Sequence, residues 1–155
     1  MKLPDVCILI YAHREDQVHH RYFRKHLEAL VRSGEPFGLT PLVAGAFVRI
    51  VTTPRFPGGP TPLPQALAVI EALASHPNAH WVNPGRRHWE LVTQLCRGTK
   101  AVGKLVADAQ HAALAIEHAA TWISRDADFA RFVDHGLIWE PWVPETGPDR
   151  TSSAR

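Results

Sequence analysis

The sequence predicts an α/β fold of three layers, with a central parallel sheet of about four to five strands flanked by helices. Short apolar, β-branched runs alternate with segments of helical periodicity along most of the chain. Proline and glycine cluster between these segments. Acidic residues stand beside several strand candidates, which is where open α/β sheets bind their ligands.

The elements follow in order. Leu3 to Ala12 reads as a buried strand, with Asp5 interrupting it near its start. Asp16 to Val31 is helical, with Tyr22, Phe23, Leu27 and Leu30 on or near one face, and Ser33-Gly34-Glu35-Pro36 stops it. Phe37 to Leu39 is a short strand. Thr40 is an N-cap with Pro41 at the first helical position, and the helix they start ends before Pro54. Pro54 to Pro64 holds five prolines and two glycines and must be a loop. Pro64 to Ser75 is a helix and His80 to Val82 a brief strand. Arg86 to Cys96 is a helix with Trp89, Val92 and Cys96 on one stripe, and Gly98 to Gly103 is a basic connection. Val106 to Ala120 is an alanine-rich helix, Thr121 to Ser124 a strand, Ala127 to Val133 a short helix and Leu137 to Trp139 a last strand.

A chain of 155 residues suits one domain, here residues 1–143, followed by a flexible tail over 144–155 that turns to Glu, Thr, Gly, Pro, Asp, Arg and Ser. With 45% hydrophobic and 21% charged residues it can bury a core. No apolar run approaches the roughly 18 residues that span a bilayer. The run Val6 to Ala12 is too short for a signal-peptide core, so a cytoplasmic protein is expected. Cys7 and Cys96 lie far apart in apolar segments and read as reduced, buried thiols. The net charge of +2 permits nucleic-acid binding without arguing for it.

Chemistry is suggested by acids where a core would not place them. Asp5 adjoins the run Val6 to Ile10, Asp108 sits within Leu105 to Leu114, and Asp126 and Asp128 follow the strand Thr121 to Ser124. A buried carboxylate is costly unless it is paired or metal-bound. Each acid taken singly has a structural use, as a cap or a helix N-terminal charge. Several converging at strand ends would repel one another, and a divalent cation relieves that repulsion. Oxygen-only ligands suit Mg²⁺ or Mn²⁺. No His-Glu-x-x-His motif or paired cysteine spacing points to zinc.

The order of these acids and their flanks resembles the PIN-domain family, in its VapC-type ribonuclease toxins. The resemblance runs from Asp5 to Pro141. It rests on "PDVCILIYAHRED", on "GEPFGLTPLVAGAFVRIVTTPRF" with its Phe-x-Arg and Thr-x-Pro-Arg features, and most specifically on "VADAQHAALAIEHAATWISRDADFARF". It implies a metal-dependent endoribonuclease toxin of a type II toxin–antitoxin system that cuts RNA, such as tRNA or rRNA. It also implies a homodimer silenced by a VapB-type antitoxin. Asp5, Asp108 and Asp126 match the family's metal-holding acids, Asp128 a further acid, and Ser124 the residue that positions the last acids. Arg14, Arg49 and Arg125, next to motif segments, are the expected RNA contacts, while Lys104 and the other basic residues read as surface. Two departures stand out. The usual Asn or Ser two residues after the first acid is Cys7, a weak hydrogen-bond former. The usual Glu of the second helix falls at Ala46, or at Gly45 if the register slips by one.

Two other functions compete. A catalytically weakened PIN domain acting as an RNA- or protein-binding module would fit Ala46 and Cys7. A phosphatase would fit Asp126-Ala127-Asp128, but its Asp-x-Asp signature needs Thr or Val two residues later and opens the chain, and neither holds here.

Overall fold

The structure, a computed structural model, describes residues 1–145. Residues 146–155, most of the expected tail, lie outside the described residues. The elements are β1 (Lys2–Pro4), α1 (Val6–His13), α2 (His20–Arg32), β2 (Phe37–Leu39), α3 (Pro41–Val51), α4 (Leu63–Ala74), β3 (Ala79–Trp81), α5 (His88–Thr99), α6 (Lys104–Glu117), β4 (Thr121–Ser124), a 3₁₀ helix (Ala127–His135) and β5 (Ile138–Pro141).

The five strands form one sheet in the order β3-β2-β1-β4-β5, and every neighbouring pair is parallel. This is the expected three-layer architecture. Side chains alternate across the strands and feed two cores. Leu3 and Trp122 enter the larger one, built with Val43, Phe47, Leu95, Leu114, Phe129 and Phe132. Phe37, Leu39 and Ile123 enter the smaller one, with Ile8, Phe23 and Leu30. Within β2, a Cβ on Gly38 would stand 2.3 Å from Leu3 Cδ2 and 2.7 Å from Val82 Cγ2, so only glycine lets these side chains close over the strand.

The first segment differs from expectation. Only Lys2–Pro4 is strand, and Val6–His13 is a helix rather than its continuation. Asp5 is the hinge between them. It keeps an extended backbone (φ −69°, ψ 159°) and its Oδ1 accepts the Val6 N–H at 2.6 Å, so it caps α1. A short apolar run cannot by itself tell a buried strand from a buried helix. Elsewhere the differences are at ends. The second helix starts at His20 rather than Asp16, and the short helix after β4 is of the tighter 3₁₀ kind. Thr40 caps α3 as expected, accepting the Val43 N–H at 3.0 Å, with Pro41 following.

Two packing expectations shift. Val92 on the α5 stripe is buried, but Trp89 at the start of that stripe is exposed. Cys7 and Cys96 are free thiols, each only partly buried. Among the described residues no helix is long and apolar enough to cross a membrane.

Candidate metal centre

A parallel sheet gathers the C-terminal ends of its strands on one side, and β1 and β4 lie side by side at its middle. Asp5 leaves the end of β1. Asp126 and Asp128 follow the end of β4, where Asp126 caps the 3₁₀ helix by accepting the Asp128 N–H at 3.0 Å. Asp108 comes from the second turn of α6 and is almost wholly buried, at 7% exposure.

The structure brings Asp108, Asp126 and Asp128 together, with one carboxylate oxygen of each within 4.8 Å of the others. Asp5 stands beside this group rather than in it. It feels the Asp126 charge and adds its own to Asp108, but its oxygens are engaged elsewhere, Oδ1 by Val6 N–H and Oδ2 by the Ser124 hydroxyl at 2.5 Å. Ser124 is fully buried, and its Oγ also accepts the Asp126 N–H at 3.0 Å. One hydroxyl thereby ties the acid after β1 to the backbone of the acid after β4. Cys7 adds a weaker contact, Sγ to Asp5 Oδ2 at 3.4 Å, and lies 3.6 Å from Ser124 Oγ. The orienting contact expected to be lost at Cys7 is thus supplied chiefly by Ser124. Burial, and then the Asp5 charge, push the Cys7 thiol up to about 12, so it stays protonated and unreactive.

The charges are unequally placed. Burial raises the Asp5 carboxyl above the ordinary range, against the hydrogen bonds from Ser124, Cys7 and Val6. Burial also raises Asp108, opposed by the Lys104 charge and reinforced by Asp126. For Asp126 burial acts upward, but the Lys104 hydrogen bond, the Asp128 N–H and the Lys104 charge together hold it below the usual value.

Lys104 is the residue that sequence reasoning left on the surface. Its ammonium pairs with Asp126 and lies 3.5 Å from Asp108 Oδ2 and 3.6 Å from Asp128 Oδ2. The i,i+4 spacing of Lys104 and Asp108 on one helix was the available signal.

The expected RNA contacts fall in different places. Arg14 is tied into the proline-rich loop. It donates to Gly59 O at 2.7 Å, Thr61 Oγ1 at 3.1 Å and both oxygens of Asp16, and its guanidinium lies over the Phe56 ring. Arg125 adjoins Asp126 and lies over the Tyr11 ring, 5.1 Å from its centroid. Arg49 is exposed on α3 and lines a groove against α4 with Gly45, Leu67 and Ile70. Ala46 is half-buried on α3.

The donor set fits a hard divalent cation. It is all carboxylate, it contains no histidine or thiolate, and Asp108 Oδ2 is buried with no hydrogen-bond partner among the described residues.

Known proteins share this arrangement of elements. A family model described as PIN domain matches residues 2–134. The chain is 43% identical to VapC ribonuclease Mb2897 of Mycobacterium bovis over 132 residues, covering 85% of this chain and 90% of that protein. It is 39% identical to Ribonuclease VapC31 of Mycobacterium tuberculosis over 141 residues, covering 91% and 99%. Among solved structures it resembles VapBC2 from Rickettsia felis bound to a DNA fragment from their promoter. That match has a TM-score of 0.66 and 19% identity, covering 92% of this chain and 98% of the other, a likeness of fold alone. VapBC-1 from nontypeable Haemophilus influenzae superposes with a TM-score of 0.64 at 17% identity, covering 91% and 97%.

Proposed function

The chain belongs to the PIN-domain family, and from that premise we propose that it is a metal-dependent endoribonuclease, the toxin of a VapBC-type toxin–antitoxin pair. The observation that carries the reading is the gathering of Asp108, Asp126 and Asp128 beside Asp5 at the ends of β1 and β4, with a buried Asp108 oxygen that only the Lys104 ammonium approaches, at 3.5 Å. Relatives named as VapC ribonucleases support RNA as the substrate.

Asp108, Asp126 and Asp128 are the proposed holders of Mg²⁺ or Mn²⁺, with Asp5 contributing its charge from behind. A bound ion of this kind supplies positive charge at a phosphodiester and a more acidic water. The protein's own part is positional. Ser124 holds Asp5 and the Asp126 backbone in register, so the acids keep their spacing while an RNA strand is seated. Arg125, next to Asp126, and Arg49, exposed on α3, are the proposed contacts to RNA phosphates. Residues 1–143 act as one domain. The proposed partners are a VapB-type antitoxin and a second copy of the chain, in the cytoplasm.

Incubation of the purified protein with structured RNA, with Mg²⁺ or Mn²⁺ and then with excess chelator, tests the activity. The expected result is cleavage only with metal. Cleavage that survives the chelator, or none in any metal, overturns the reading. Co-expression with the protein encoded next to it, followed by light scattering, tests the partners. A strict monomer that binds no neighbour-encoded protein overturns that part.

A further inference from the structure

We propose that Lys104 is a resident counter-cation of the acid cluster, competing with the divalent metal and so setting how tightly the metal is held. This rests on the reading of Asp108, Asp126 and Asp128 as the metal's holders, and deepens it.

The placement of Lys104 is the first argument. It is the first residue of α6, whose N-cap, Gly103, supplies no side-chain cap and whose first turn carries no acid. A helix N-terminus is the positive end of the helix dipole, where a cation is disfavoured. Lys104 therefore does not serve the helix it starts. What holds its ammonium is the trio of carboxylates: Asp126 as hydrogen-bond acceptor, with Asp108 at 3.5 Å and Asp128 at 3.6 Å. These are the same three side chains that converge as possible metal ligands. One ammonium spans all three, which is the position a metal ion would need.

Lys104 also leaves the cluster only partly neutralised. Asp108 is nine-tenths buried, and its Oδ2 has no hydrogen-bond partner even with the ammonium nearby. A single positive charge on a flexible stem neutralises the cluster only in part. A divalent ion brings twice the charge and takes several oxygens at once, so it displaces the ammonium rather than joining it. The Lys104 side chain is 65% exposed and free to swing outward when displaced. An exposed ion pair of this kind is worth about tenfold or less in an equilibrium constant, so the competition tunes affinity without blocking the site.

Titration calorimetry of the full chain with Mn²⁺ tests this, comparing wild type with Lys104→Met and Lys104→Gln. The expected result is affinity about tenfold tighter in both variants. Thermal melting gives a second readout. Without metal both variants melt below wild type, because the acids have lost their counter-charge, and Mn²⁺ raises their melting temperature more than it raises that of wild type. Circular dichroism confirms that the variants fold, and the exposure of Lys104 keeps either change out of the core. Equal or weaker Mn²⁺ binding by both variants, with binding by wild type intact, overturns the inference and leaves the metal site standing. Absence of Mn²⁺ binding in wild type and variants alike overturns the metal site itself, and the inference with it.

Discussion

The Ser124 hydroxyl lies 2.5 Å from Asp5 Oδ2, although 119 residues separate the two in the chain. The same oxygen accepts the Asp126 N–H. Ser124→Ala leaves a buried carboxylate oxygen with only the weak Cys7 contact and takes the acceptor from the Asp126 N–H, which costs about 1–3 kcal/mol of stability. It also frees the acids to drift, for an expected loss of roughly 10–100-fold in RNA cleavage. Urea unfolding and cleavage rates measure the two effects, and Ser124→Thr, which keeps the hydroxyl, restores both. Unchanged cleavage in Ser124→Ala means that Asp5 and Asp126 hold their places without it.

Asp108→Asn keeps the side-chain shape and removes one charge, and cleavage should vanish while the fold persists. The pH dependence gives a further check. Burial, with Asp126 adding to it and Lys104 opposing, holds the folded Asp108 carboxyl above its model value of 3.8. The folded protein therefore binds that proton more tightly than the unfolded chain does. Stability falls as pH rises from 3.8 through the higher folded value, and the loss persists at neutral pH. Metal-free Asp108→Asn should therefore melt above wild type at pH 7, and the difference should close below pH 3.8. A variant that melts lower at neutral pH contradicts the assignment.

Arg14 and Arg125 should part ways. Arg14→Ala removes the hydrogen bonds that Arg14 donates to Gly59 O and Thr61 Oγ1 in the Pro54–Pro64 loop and to Asp16, and should lower Tm by about 2–6 °C with little change in the salt dependence of RNA binding. The Arg14 guanidinium holds the Asp16 carboxyl down to about 2, so their pairing stabilises the fold above pH 3.8 and is lost as pH falls from there toward 2. Arg125→Ala should keep its Tm and reduce the slope of log affinity against log salt by about 1. The reverse pattern would exchange their roles.

In the register that the family resemblance implies, Ala46 takes the place of the usual second acid. Ala46→Glu should then tighten Mn²⁺ binding and make stability depend more on metal, since a further carboxylate adds both an oxygen donor and a like charge. Gly45 faces the groove between α3 and α4, with nothing near its would-be Cβ, so Gly45→Glu should leave Mn²⁺ affinity unchanged. Calorimetry distinguishes them. No change in Ala46→Glu shows a centre complete without α3.

The layered fold was legible because strand and helix signals alternate and the turns carry proline and glycine. The segment after Pro4 was misread because Val6 to Ala12 is apolar on every side, and a buried helix and a buried strand share that pattern. Asp5 carried the missing signal, since an aspartate after a proline, ahead of an apolar run, is also how a helix begins. The acids were legible as a group through their context. Which three converge was not, because it depends on how α6 turns Asp108 toward the end of β4. The spacing of Lys104 and Asp108 was visible in the sequence, but a lysine on a helix is ordinarily solvated, and only the fold brings Asp126 and Asp128 to it.

The adjacency of β1 and β4 at the centre of the sheet also sets a timetable. β1 is made well over a hundred residues ahead of β4, which begins at Thr121, so the middle of the sheet stays open until β4 emerges. A nascent chain still short of Asp126 holds Asp5 and Asp108 without the two acids that complete the cluster. Contacts this distant in sequence are slow to form, so the tie from Ser124 to Asp5 is a late step relative to the local gathering of Asp108, Asp126 and Asp128. A prematurely terminated chain, released before residue 121, carries the residues of α1 to α6 and no complete cluster.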